Sequence, residues 1–176
     1  MASLDKTRAD AFWRFSLMFY GRPGVAEALI ALQDRGGHNV NLVLFGLWLG
    51  LCQGAALDAA GLACAKAAIK RLDRDVVQKL RRLRRALRSE PDDDVHELRR
   101  RLLALELAAE RRVQARLAGS NAGWSIEGAT RAELAEANLR LILGGDFAAE
   151  EASVLQAAIA GQVGLAITSA VKGVSP

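Results

Sequence analysis

Val, Ile and Thr together supply only 20 of the 176 residues, there are 2 cysteines, 3 prolines and 2 histidines, and no aromatic residue lies between Trp48 and Trp124. So few β-branched residues exclude a β-sandwich or β-barrel. Two cysteines exclude a disulfide scaffold. Cys52 and Cys64 sit in Ala/Leu/Gly-rich surroundings without metal-ligand spacing, so both are expected to be reduced, largely buried thiols. Also missing are a Gly-rich phosphate loop, a His-Glu-x-x-His pair, Asp-rich motifs on facing helices and a Ser elbow. No catalytic, cofactor or metal residue is therefore assigned. The acidic turn Asp92-Asp93-Asp94-Val95-His96-Glu97 is what a helix N-terminus favours through its dipole.

Long apolar runs are absent too. From Gly36 to Leu57 there is no Asp, Glu, Lys or Arg, but the apolar part, Val40 to Cys52, is 13 residues and contains Asn41; a spanning helix needs about 20. Ala152 to Val171 is uncharged but diluted by Gln156, Gln162, Thr168 and Ser169. Asp5 and Asp10 near the start do not suit a signal peptide. A cytoplasmic protein without a transmembrane segment is expected.

What is abundant is helix-forming. The chain has 33 Ala, 27 Leu, 19 Arg, 10 Glu and 5 Lys, together 94 residues, which predicts an all-α protein. Thr7 with Asp10 three residues on resembles a capping box for a first helix ending near Tyr20, before Gly21-Arg22-Pro23-Gly24. Pro23 suits the first turn of a second helix, stopped by Gly36-Gly37. A third, about 39–53, is apolar all round and should be the buried centre. Asp58 can cap a fourth helix running to Arg88, with a kink near Asp73. Ser89 to Asp93 is a turn, and Asp94-x-x-Glu97 opens a helix to Leu117. Gly119 to Gly128 is a loop containing Trp124. Thr130-x-x-Glu133 is a capping box for a helix ended by Gly144-Gly145, and Asp146 can cap a last one. The expectation is one compact domain over 1–176 of six to seven helices. Its parts are an aromatic core (7–57), a helical hairpin (58–118) and C-terminal helices (129–172).

Charge is uneven. Residues 1–65 carry 5 basic and 5 acidic side chains, residues 66–116 carry 16 and 9, and residues 117–176 carry 3 and 6. At helical periodicity Ile69, Val76, Leu80, Leu83 and Leu87 form one stripe, and Lys70, Arg71, Arg74, Arg81, Arg85 and Arg88 fall opposite. On the next helix Val95, Leu98, Leu102, Leu105 and Ala109 repeat the spacing. The pair reads as an amphipathic antiparallel hairpin sealed by these seams, with an outer surface made Arg-rich also by Arg99, Arg100, Arg101, Arg111 and Arg112. Asp75 to Lys79 and Glu97 to Arg101 are four-residue ion pairs within it. With no aromatic nearby the hairpin offers nucleic acid no stacking platform, only salt-sensitive phosphate contacts.

Seven of the nine aromatics fall in the first 48 residues: Phe12, Trp13, Phe15, Phe19, Tyr20, Phe45 and Trp48. They are read as core. The polar corner among them is Gln33, Asp34, His38 and Asn41. Gln33 and Asn41 share faces with apolar residues, so both point inward and need partners, for which Asp34, Asn39 and the Gly36-Gly37 backbone are at hand. The corner is either a structural network or a ligand site.

These residues also carry a resemblance. Phe12-Trp13-x-Phe15-Ser16-Leu17-x-x-Tyr20, Arg22-Pro23-Gly24-Val25, Leu32-Gln33-Asp34-Arg35-x-Gly37 and Val40-Asn41-Leu42-x-Leu44-Phe45-x-x-Trp48-Leu49-Gly50 are similar to an uncharacterised proteobacterial family of unknown function. Val76-Val77-x-x-Leu80-Arg81-x-Leu83-Arg84-Arg85-Ala86-Leu87 resembles its second signature, without a preceding Trp and with Lys79 in place of a Pro. The resemblance spans residues 10–115 and implies a cytoplasmic helical protein with no assigned activity.

The role expected is non-enzymatic: an interaction or adaptor protein presenting Arg71, Arg74, Arg81, Arg85 and Arg88 to an acidic protein partner. A phosphate-backbone binder of RNA or DNA using the same residues is the second reading. A small-molecule binder or enzyme built on the Gln33 to Asn41 corner is the third.

Overall fold

The computed structural model describes the backbone of residues 2–120, 122–125 and 128–172, and the side chains of 6–120, 122–124 and 128–161. It is all-α: α1 (Ala2–Tyr20), α2 (Val25–Gly36), α3 (Val40–Trp48), α4 (Ala59–Leu72), α5 (Gln78–Ala86), α6 (Asp93–Ala118), α7 (Arg131–Leu143) and α8 (Glu150–Lys172). Wide π turns extend α3 over Leu49–Gln53 and join α4 to α5 through Asp73–Val77. No helix among the described residues is long and apolar enough to cross a membrane.

Local chemistry sets most boundaries. The Asn39 side chain caps α3 by accepting from the Leu42 amide, and Asp58 caps α4 by accepting from Gly61 at 2.6 Å. Thr130 and Glu133 form a full capping box on α7. Gly37 ends α2 at φ 67°, a left-handed conformation that a β-carbon disfavours. Four boundaries differ from the sequence reading. Helix α1 already starts at Ala2, so Thr7 lies inside it. Asp92 rather than Asp94 caps α6. Trp124–Ser125 pairs as a two-residue strand, β2, with Ala55–Ala56 of β1, antiparallel. Asp146 sits in a 3-10 turn, Gly144–Ala148, and α8 begins only at Glu150.

Helix α3 is the centre, with every residue from Asn41 to Trp48 buried. Phe12 of α1 packs against Phe45 and Trp48 with ring centroids 5.7 and 5.0 Å away. Helix α7 comes so close that a β-carbon on Gly50 would overlap the Ala135 backbone, and one on Gly46 the Ile142 side chain. Buried Asn138 of α7 ties this contact: its amide donates to the carbonyls of Gly46 and Ala55, and its oxygen accepts from Leu57 N at 2.7 Å. Helix α8 covers α2 through Ala152, Leu155 and Ile159, and Arg22 donates to the Ala158 carbonyl. Cys52 and Cys64 are free but exposed, which corrects the expectation of buried thiols.

Helices α5 and α6 form the hairpin, but its seam is out of phase with the continuous stripe. The π turn holds one more residue per turn than an α-helix, so it rotates everything after it. The inward positions become Ile69, Asp73, Val77, Arg81 and Arg84, at four- and three-residue steps. Val76 and Leu83 turn out to solvent, Leu83 being 50% exposed. Across the seam Leu98 and Leu105 are exposed while Glu106, Val113 and Leu117 are buried. The turn is held by Gln78, whose amide donates to buried Asp73 at 2.7 Å.

Because the atoms that face Gly50 are the Ala135 backbone, which cannot yield without moving α7, Gly50→Ala should destabilise the fold by about 1–3 kcal/mol. Thermal and urea unfolding would read this; Gly145→Ala, with open space at its β-carbon position, is the neutral control.

Candidate functional site

Carrying Arg81 and Arg84 inward creates a charged cluster between the hairpin and the aromatic helices. Arg81 Nε donates to Glu106 Oε1 at 2.9 Å, one Nη to Gln33 Oε1 at 2.5 Å and the other to Glu110. Arg84 reaches both oxygens of Glu106, Nε at 2.5 Å and Nη2 at 3.2 Å. The Glu106 side chain is only 4% exposed and that of Arg81 17%. Beside them runs a neutral chain: Ser16 donates to Gln114 at 3.0 Å, and Gln114 donates to Asn41 at 2.9 Å.

The two carboxylates are tuned apart. Burial pushes Glu106 up, but hydrogen bonds from Arg84 and Arg81 outweigh it and its carboxyl ends below the ordinary range. Glu110 keeps one strong partner, so burial wins and its carboxyl is raised, Glu106 adding to the effect. Burial and the neighbouring Glu110 likewise raise the Tyr20 hydroxyl. Two guanidiniums against two carboxylates leave the cluster neutral. It floors a groove of about 440 Å³ with apolar walls that include Trp13, Leu17, Ile30, Leu44, Leu103 and Leu107.

The polar corner is already hydrogen-bonded, although Gln33, Asp34 and His38 line one concavity. Its four residues are drawn to three places. Gln33 bonds Arg81 and Asp34, and Asp34 accepts from Arg85 at 2.9 and 3.3 Å, which with the Gln33 bond holds its carboxyl low. His38 Nε2 lies 2.8 Å from Asp146. Asn41 is buried on Gln114, and Asn39 is spent as the α3 cap. These are bonds that tie α2 and α3 to the hairpin and to the turn before α8.

The five arginines assigned to one partner-binding face are also divided. Arg71 and Arg74 are exposed, Arg74 pairing with Asp75 at 2.8 Å rather than leaving Asp75 to Lys79. Arg85 bridges to Asp34. Arg81 is the correction: it is turned inward and committed to Glu106, Glu110 and Gln33. Arg88 sits in the turn after α5. On α6, Arg100 and Arg101 are exposed and bonded to Glu97, and Arg111 to Asp10. Arg99 is half-buried rather than on the outer surface. The residues sequence reasoning missed are Arg84, Glu106, Glu110 and Gln114. A signal was present, since Glu106, Glu110 and Gln114 recur at four-residue steps on one face and the two acids stand alone between Glu97 and Arg116.

A second concavity, about 990 Å³, runs between α2–α3 and α4–α5. Lys66, Lys70, Arg74, Arg81, Arg82 and Arg85 line it against Asp34 and Asp73, and no Phe, Trp or Tyr does.

Residues 11–117 match the model of a family described as protein of unknown function (DUF2390). The match takes in the whole charged cluster, from Ser16 to Gln114. No curated protein and no solved structure matches the chain.

Removing one partner of a buried ion cluster leaves the others uncompensated, so Glu106→Gln should cost about 3 kcal/mol at neutral pH in urea unfolding. The folded pKa of Glu106 lies below its unfolded value, so its contribution is full above the unfolded pKa. It is lost as pH falls through the folded one. The gap between parent and variant should therefore close on acidification. Glu110, with its raised pKa, runs the other way: its contribution declines as pH rises through the folded value.

Proposed function

The chain belongs to this family of unknown function, which lends it no activity, and we propose that it is a non-enzymatic binding protein whose basic groove receives an acidic segment of a partner protein. The observation that carries the reading is the lining of the groove along α4–α5, where Lys66, Lys70 and Arg82 add to Arg74, Arg81 and Arg85, which are already paired with Asp75, with Glu106 and Glu110, and with Asp34. Lys66, Lys70 and Arg82 make no ion pair among the described residues, and Lys66 and Lys70 are one helical turn apart on the same face. Such a surface attracts anions over several ångströms and orients them on approach. Carboxylates of an acidic peptide can be met by lysine as point charges and by the forks of Arg82 and Arg74.

A nucleic acid is the alternative occupant of the same groove. It is less favoured because the lining has no aromatic side chain on which a base could stack. A wholly phosphate-based contact would have to supply the affinity. The Gln33 to Asn41 corner is not favoured as a small-molecule site: Gln33, Asp34 and His38 line the same groove, but they are already bonded to Arg81, Arg85 and Asp146, and Asn41 is buried on Gln114.

Fluorescence anisotropy with a labelled Glu-rich peptide at low and physiological salt tests this. Binding by the full chain, weakened at least about tenfold by Lys66→Glu with Lys70→Glu, is the expected result. No binding of the peptide at low salt would end the reading. Steeply salt-dependent binding of mixed-sequence RNA or duplex DNA in its place would transfer the groove to nucleic acid.

A further inference from the structure

Where the end of α5 and the first turns of α6 converge on α2, a cavity of about 550 Å³, adjoining the apolar-walled groove at Ile30, Arg84 and Arg85, is lined by these three with Asp34, Arg88 and Arg99. Four guanidiniums around one cavity repel each other unless compensated. Two of them are: Arg84 by Glu106, and Arg85 by Asp34. With Arg81 matched by Glu110, the three acids and three arginines balance. Arg88 and Arg99 are left over, with no ion pair among the described residues. Arg99 Nε is in addition shut off from solvent and has no hydrogen-bond partner. A guanidinium cannot shed its proton to relieve this. A buried charged N–H without an acceptor is rare in a folded protein, and the side chain that carries it is one of those lining a cavity with a surplus of two positive charges.

From these two observations we propose that the cavity is a binding site for a dianionic phosphate monoester of a small organic molecule. The surplus of two matches the dianion. A phosphoryl group offers three oxygens to donors arriving from α5, the following turn and α6 at once, and the arginine fork meets them in pairs. A phosphodiester fits less well, since it carries one negative charge and two free oxygens. Ile30 supplies an apolar wall for the organic part. This site is distinct from the basic groove, sharing only Asp34 and Arg85 with it.

The test is calorimetric titration of the full chain, at constant ionic strength, with butyl phosphate, inorganic phosphate and diethyl phosphate. Butyl phosphate should bind, and diethyl phosphate should bind at least about tenfold more weakly. Arg99→Gln and Arg88→Gln should each weaken butyl phosphate at least about tenfold, whereas Lys66→Gln with Lys70→Gln should leave it unchanged. Circular dichroism of each variant checks its fold, and Arg88, in an exposed turn outside the ion cluster, provides a substitution that does not strain the hairpin. The proposal is overturned by any of four results: no binding at millimolar ligand, equal affinity for the diester, unchanged affinity in both arginine variants, or loss in the lysine variant. Binding of inorganic phosphate without butyl phosphate would overturn the organic ligand.

Discussion

The ion cluster of Arg81 and Arg84 with Glu106 and Glu110 is what locks α5 against α6, and Gln33 ties it to α2. Three helices meet there, α2 through Gln33, α5 through the two arginines and α6 through the two acids. Charges withdrawn from water are tolerated only when paired and hydrogen-bonded, and each guanidinium here has fixed partners. That demand is directional in a way apolar contact is not. Leu80 or Leu83 could slide along a greasy seam, whereas Arg81 must meet Glu106, Glu110 and Gln33 together. The cluster therefore sets the rotation of α5 about its axis against α6, and the Ser16–Gln114–Asn41 chain ties α6 to α1 and α3.

The rotation is made possible by the π turn at Asp73–Val77. One extra residue in that turn moves Val77 into the core and Val76 out of it. It also divides the basic residues of the helix into two groups. Arg81 and Arg84 are committed to the acids of α6, Arg81 also bordering the groove; Lys66, Lys70, Arg74 and Arg82 stay at the groove without such a tie. The helix that looks like a uniform basic arm is thus partly a foundation and partly a surface. Arg88 and Arg99, near the hairpin's closed end, belong to neither group. They are the charges that the interior does not neutralise.

Beneath this, the aromatic helices and α7 make an ordinary close-packed interior. Gly46 and Gly50 allow α7 to approach α3 and the π turn after it, and Asn138 donates to the carbonyls of Gly46 and Ala55 on either side of that turn. The family match, residues 11–117, covers α3, the hairpin and the cluster but not α7 or α8. Helices α7 and α8 cover the core from outside that region, α8 lying on α2 with Arg35 paired to Glu151.

Sequence alone determined the all-α class, the caps at Asp58 and Thr130, the stop at Gly37, the central buried helix and the excess of positive charge on residues 66–116. These follow from composition, from hydrogen bonds spanning three or four residues, and from periodicity within one helix. Inward orientation of Gln33 and Asn41 was legible for the same reason, but their partners, Arg81 and Gln114, lie 48 and 73 residues away. Only the tertiary structure decided which arginines are buried. A single π turn shifts the phase of every later residue, and nothing local distinguishes Arg81 from Arg82. The two carboxylates that claim Arg81 stand on another helix, and an ion pair across a fold is written in the distance between helices, not in the spacing along either one.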